Sequence, residues 1–236
     1  MKTLVDSIPA VAPHGDLAEQ LVSLLTPECA AADRYRALRY TIEALRSDGR
    51  LPVVAVTSPD AGDGKTVTVL NLAGAFAQAE GARVLVVDAD LRKPSVSNYL
   101  GLDPRLPGLS RALRNRHVEL AAIAHRLEPF NLWIVPAGPP SAAPGELLNS
   151  PALAGLIHEA RRTFDCVLID TPPALLPDSR LIGRWVDGFF LVVTAHKTPR
   201  KLLTQALDEI GSKMIGLVLN RDDRRPARYY GYYSKE

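Results

Sequence analysis

Cysteine is scarce in this chain: Cys29 and Cys166 are the only two in 236 residues. They are far apart in sequence and no CxxC pair occurs, so neither a disulfide framework nor a cysteine zinc site is supported. Cys166 lies in the apolar run Cys166-Val-Leu-Ile169 and is expected to be a buried small hydrophobe. Cys29 is expected to be structural or incidental. Excess charge of one sign is also missing: 28 Lys and Arg face 26 Asp and Glu, a formal net charge of +2. No broad basic footprint results, so nucleic acid is not an expected partner, although a local anion site stays open. Runs of about 18 apolar residues, the length a membrane helix needs, are absent. The first residues, MKTLVDSIPAVAPHGD, are interrupted by Asp6, Pro9 and Pro13 and lack a signal-peptide core. The expectation is a cytoplasmic chain that reaches a membrane only through another protein.

What is present is a globular composition, 47% hydrophobic, at a length sufficient for one substantial core. Prolines at 9, 13 and 27 mark residues 1–27 as a flexible lead-in. A helix is expected over 28–45, with Tyr35, Leu38, Ile42 and Leu45 on one face and Asp48-Gly49 as a stop. Short apolar strands are expected at 53–57, 83–87, 132–135, 166–169, 189–193 and 215–219. Helices are expected from 65 through 78, from near Ser110, over 147–162 and over 199–210. Residues 136–145, with four prolines and two glycines, suggest a rim loop. Strands apolar on both faces, alternating with helices, describe an α/β domain over 28–220: a doubly wound, mostly parallel sheet with helices on both faces. Residues 221–236 read as an exposed tail holding four of the seven tyrosines beside Arg224, Arg225 and Arg228.

Three motifs carry chemistry. Gly62-Asp63-Gly64-Lys65-Thr66-Val67 follows a strand and opens a helix. The glycines let backbone N–H groups curl toward phosphate oxygens, and the helix N-terminus adds unpaired donors. Lys65 suits the β- and γ-phosphates, and Thr66 can offer its hydroxyl to Mg²⁺. The first glycine usual in such loops is replaced by Pro59. Next, Asp88-Ala-Asp90-Leu-Arg92 places two carboxylates and a guanidinium at the C-terminal end of a strand, where parallel sheets bind ligands. Finally, Cys166-Val-Leu-Ile-Asp170 delivers one carboxylate before Thr-Pro-Pro173, in the manner of a Walker-B aspartate. Together these describe a Mg-ATP site of P-loop NTPase type. The first unit has no GxGxxG, which argues against a dinucleotide.

With these motifs the sequence resembles the bacterial protein-tyrosine kinases of capsular and exopolysaccharide synthesis, within the deviant P-loop class that includes the Min and Par ATPases. The resemblance spans residues 28–236: SPDAGDGKTVTVLNLAGAF matches the Walker A region, VLVVDADLRKP the Walker A′ and VLIDTPP the Walker B. VPAGPPSAAPGELLNSPAL, VDGFFLVVTAHKTPR and GLVLNR also look like the family. The resemblance implies that Lys65 and Thr66 bind phosphates and metal, that Asp88 activates a tyrosine hydroxyl, and that Asp90 and Asp170 hold the metal or its water. It puts Arg92 at the catalytic face and Asn220 near the adenine.

An acceptor tyrosine, with a pKa near about 10, needs a base and a fixed approach. Tyr229, Tyr230, Tyr232 and Tyr233 are the implied phosphoacceptors. Asp33, Arg36 and Arg39 stand where the family carries ExxRxxR, implying self-association in a ring through that helix, with aspartate shortening the acid. Further implications are a membrane-spanning chain-length regulator as adaptor and a tyrosine phosphatase that resets the tail. Two other readings remain open. One is a Min- or Par-like ATPase switch, disfavoured because its early P-loop lysine is missing; the other is a non-catalytic nucleotide-binding scaffold.

Overall fold

A computed structural model describes residues 4–45, 53–115 and 118–222. The tyrosine cluster, the Asp48-Gly49 stop and Arg224, Arg225 and Arg228 lie outside the described residues. In chain order the strands are β1 (Ala10–Val11), β2 (Val53–Thr57), β3 (Val84–Asp88), β4 (His125–Leu127), β5 (Leu132–Val135), β6 (Cys166–Asp170), β7 (Gly188–Thr194) and β8 (Met214–Asn220). The helices are α1 (Val22–Leu25), α2 (Ala30–Glu43), α3 (Lys65–Ala77), α4 (Val96–Tyr99), α5 (Leu109–Arg114), α6 (Pro144–Leu148), α7 (Pro151–Thr163), α8 (Pro177–Gly183) and α9 (Arg200–Ile210).

One sheet runs in the order β1-β4-β5-β3-β6-β2-β7-β8. Every neighbouring pair is parallel except β4 with β5. Alternate residues of the central strands feed opposite cores, as a two-faced parallel sheet requires. Val53, Ala55, Leu85 and Val87 pack on one side with Leu109, Leu156 and Phe164. Val54, Val56, Val84 and Val86 pack on the other with Leu21, Ile42 and Phe76. The sheet is therefore doubly wound, and β2, β3 and β6 end together at its centre.

Several local expectations change. The lead-in holds three short elements: a 3₁₀ turn at Leu4–Ser7, β1 and α1. Leu21 is wholly buried, and Asn71 of α3 clamps this segment: its Oδ1 accepts from Ser23 N–H at 2.8 Å and its Nδ2 donates to the Gln20 carbonyl at 2.9 Å. Long-range packing outweighs the local proline signal here. The helix expected over 147–162 is two helices, because Pro151 cannot continue α6 and instead starts α7 behind the N-cap Ser150. β4, α4 and α8, three to seven residues long, carry too little periodicity to read in advance. Cys29 caps α2, its sulfur accepting from Ala32 N–H at 3.4 Å. Cys166 is buried, and burial pushes its thiol pKa up.

Candidate active site

The loop between β2 and α3 turns on two glycines. Gly62 and Gly64 have φ of 83° and 95°, conformations that strain any residue bearing a Cβ. At Gly64 space is limiting too, since a Cβ would stand 2.1 Å from Asn220 Nδ2. Between them Asp63 is nearly buried and tied down on every side. Its Oδ1 accepts from Thr198 Oγ1 at 2.9 Å and its Oδ2 from Asp60 N–H at 3.3 Å. Its carbonyl accepts from Asn220 Nδ2 at 2.9 Å and Thr194 Oγ1 at 3.4 Å. The ends of β7 and β8 thus hold the cradle from behind. Val67, in the first turn of α3, is half-buried, and its carbonyl accepts from Asn71 Nδ2 at 2.9 Å.

Strand register brings the acids together. β3 and β6 are adjacent and parallel, with Asp88 paired to Asp170. Both are fully buried. The Asp88 carboxylate is wrapped by backbone: Oδ1 accepts from Asp90 N–H, and Oδ2 from Ser95 N–H and Val96 N–H, each at 3.1 Å. Asp90 Oδ1 accepts from Lys93 N–H at 3.0 Å, and its Oδ2 lies 3.2 Å from Lys65 Nζ. Thr66 Oγ1 donates to Asp170 Oδ2 at 2.6 Å and stands 2.9 Å from Ser95 Oγ.

The electrostatics follow from burial. Desolvation, then the Asp170 charge, raises the Asp88 pKa to about 8, against the backbone donors. Desolvation raises Asp170 to about 6, with Lys65 and Thr66 pulling the other way. The acidic cluster is thus short of positive charge, and burial raises both Asp88 and Asp170. Burial works against the Lys65 charge, but Asp170 and Asp90 more than offset it, and its pKa is raised.

Magnesium fits this arrangement. Asp170 Oδ1 is buried and has no hydrogen-bond partner, directly beside the Thr66 hydroxyl. Among the described residues no three His, Cys, Asp or Glu side chains converge into a cage. Mg²⁺ suits such a site, because it takes one or two protein oxygens and completes its shell with phosphates and water. Thr66 and Asp170 are the residues that would hold it.

Arg92 points sideways to α8. Its Nε and Nη2 donate to Asp178 Oδ2 and Oδ1 at 2.5 and 3.2 Å. Hydrogen bonding to Asp178 raises the Arg92 pKa, burial opposes, and the charges of Asp178 and Asp90 add to it. Far from this cluster, the α2 residues make contacts within the chain. Arg36 bonds Asp33, the Pro27 carbonyl and Gln78, while Arg39 donates to Glu43 at 2.7 Å and to the Ala75 carbonyl at 3.0 Å. The structure therefore gathers Gly62 through Val67, Asp88, Asp90, Asp170 and Asn220 around one loop, with Arg92 beside them and the α2 triplet apart. Ser95, Asp178, Thr194 and Thr198 belong to the same network and went unread. Thr194 and Thr198 fall within the family-like stretch VDGFFLVVTAHKTPR; nothing local marks Ser95 and Asp178.

Residues 54–231 match the family described as the CobQ/CobB/MinD/ParA nucleotide binding domain. Tyrosine-protein kinase YwqD of Bacillus subtilis (strain 168) is 33% identical over 221 residues, covering 92% of each chain. Among solved structures, the chimerical protein CapA2B2 superposes with a TM-score of 0.80 at 28% identity, over 92% of this chain and 96% of that one. The kinase domain of Escherichia coli tyrosine kinase ETK does so at 0.77 and 25%, over 92% and 87%.

Proposed function

The chain belongs to the CobQ/CobB/MinD/ParA nucleotide-binding family and, within it, to the bacterial tyrosine-protein kinases, and on that premise we propose that it phosphorylates its own C-terminal tyrosines from Mg-ATP. The observation that supports this best is the pairing of Asp88 with Asp170 in adjacent strands beside Lys65 and Thr66. One carboxylate serves metal binding and the other is available as a base.

In this reading the backbone of residues 62–66 cradles the phosphates and Lys65 leaves Asp90 for the β- and γ-phosphates. The chemistry Mg²⁺ supplies when bound is neutralisation of charge on the phosphoryl group in transfer. Asp88, its carboxylate held by the backbone N–H groups of Asp90, Ser95 and Val96, accepts the proton of an incoming tyrosine hydroxyl. The phenolate oxygen bonds to the γ-phosphorus, the bond to the β-phosphate oxygen breaks, and ADP departs. Tyr229, Tyr230, Tyr232 and Tyr233 are the acceptors, presented by a neighbouring copy.

No described helix is long and apolar enough to cross a membrane. A membrane-spanning adaptor of the polysaccharide chain-length regulator type then brings this kinase to the inner membrane face, and a phosphatase reverses the modification. The output is control of surface polysaccharide polymerisation or export.

The test is incubation with γ-labelled ATP, Mg²⁺ and the adaptor's cytoplasmic tail. Label is expected on residues 229–233, lost when the four tyrosines become phenylalanine and lost in Lys65→Met. Phosphate release with unlabelled tyrosines would point instead to an ATPase switch. Nucleotide binding without turnover, with the adaptor tail demonstrably bound, would make the protein a scaffold.

A further inference from the structure

Asp178 lies outside the three nucleotide motifs, yet its side chain is only 2% exposed. A carboxylate so buried needs a specific partner, and its partner is Arg92, 86 positions earlier in the chain. α6 roofs the pair: a Cβ built on Gly145 would lie 3.4 Å from Asp178 Oδ1. The two bonds run from Nε and Nη2, one flank of the guanidinium, and leave Nη1 outside the pair. Arg92 remains 44% exposed, two positions beyond the Asp90 that binds Lys65. A planar fork gripped along one flank keeps its other edge in a constant orientation, which a flexible arginine in water does not.

We propose that Asp178 is the positioning residue for Arg92, holding one flank of the guanidinium so that its free edge faces the phosphoryl group in transfer. The role rests on the kinase reading above. Asp178 acts through Arg92, by removing the rotamer freedom of its side chain. Pre-aimed donors contribute to rate because they need no reorganisation as charge develops.

The experiment is a double-mutant cycle on the full chain. Turnover is read as tyrosine label and, separately, as phosphate release; ATP affinity comes from a fluorescent ATP analogue and folding from thermal melting. Asp178→Asn should lower kcat by roughly tenfold to a hundredfold, as displaced supporting groups do, with ATP affinity within about twofold of wild type. In an Arg92→Ala background the same change should cost nothing further. Arg92→Lys, which keeps the charge but cannot make the two-bond fork, should fall as far as Asp178→Asn without a lowered melting point. An Asp178→Asn enzyme with normal kcat, an effect that multiplies onto Arg92→Ala, or an Arg92→Lys enzyme with normal kcat would each overturn the proposal. Should Asp178→Asn not fold, the Arg92→Lys arm alone decides. If the wild type releases phosphate without labelling tyrosine, the kinase reading falls and the cycle is still scored on phosphate release.

Discussion

At the scale of single residues, the buried aspartates make stability depend on pH in an unusual direction. Asp88 is raised from its ordinary value of 3.8 to about 8 when folded, so between those values the native state binds more protons than the unfolded chain. Stability from this group is full below pH 3.8 and is lost as pH climbs through about 8, the reverse of a salt-bridged carboxylate. The nucleotide-free protein should therefore melt at progressively lower temperature from pH 5 to pH 8, and Asp88→Asn, a mimic of the protonated acid, should flatten that slope. An unchanged slope in Asp88→Asn would show that another group titrates. Asp88, Asp90, Asp170 and Lys65 were legible as candidates because Asp88 and Asp170 end strands, Lys65 opens a helix and Asp90 follows Asp88 by two positions in one short motif. Asp178, Ser95 and Thr198 were not, since their partners stand 86, 29 and 135 positions away and only packing brings them close.

Elements show the same division. β2, β3, β5 and β6 could be read almost residue by residue from their unbroken apolar runs, and α2, α3 and α9 from their length. The 3-residue β4 and the 2-residue β1 could not, because they exist only as additions to a sheet edge. The loop between β2 and α3 supplies the prediction at this scale, through its two glycines. Gly64→Ala meets both an unfavourable φ and the Asn220 carboxamide, whereas Gly62→Ala meets only the φ, with nothing within 4 Å of its Cβ. The backbone cost alone is about 1–2 kcal/mol. ATP affinity should fall by at least about tenfold in Gly64→Ala and by distinctly less in Gly62→Ala. Equal losses in a fluorescent-nucleotide titration would mean that the Asn220 contact does not limit the loop.

For the molecule as a whole, the alternation of strand and helix was enough to anticipate a doubly wound sheet with ligands at its carboxyl edge. Strand order was not legible, since every neighbour relation except the local β4–β5 pairing is long-range and right-handed crossovers are compatible with several orders. That order puts β6 between β2 and β3, so the three motif-bearing strand ends meet at one place. It also makes β8 the outermost strand on its side, with Leu217 and Leu219 46% and 44% exposed. Yet Asn220, the last residue of that strand, holds the Asp63 carbonyl in the phosphate loop. Attachment of the rim strand and occupancy of the cradle are therefore two ends of one thermodynamic linkage. Mg-ATP should slow amide hydrogen exchange along β8 more than along β1, and Asn220→Ala should abolish the difference. Reciprocity then demands that whatever grips β8 in its docked position tightens nucleotide binding by the same factor that nucleotide tightens the grip.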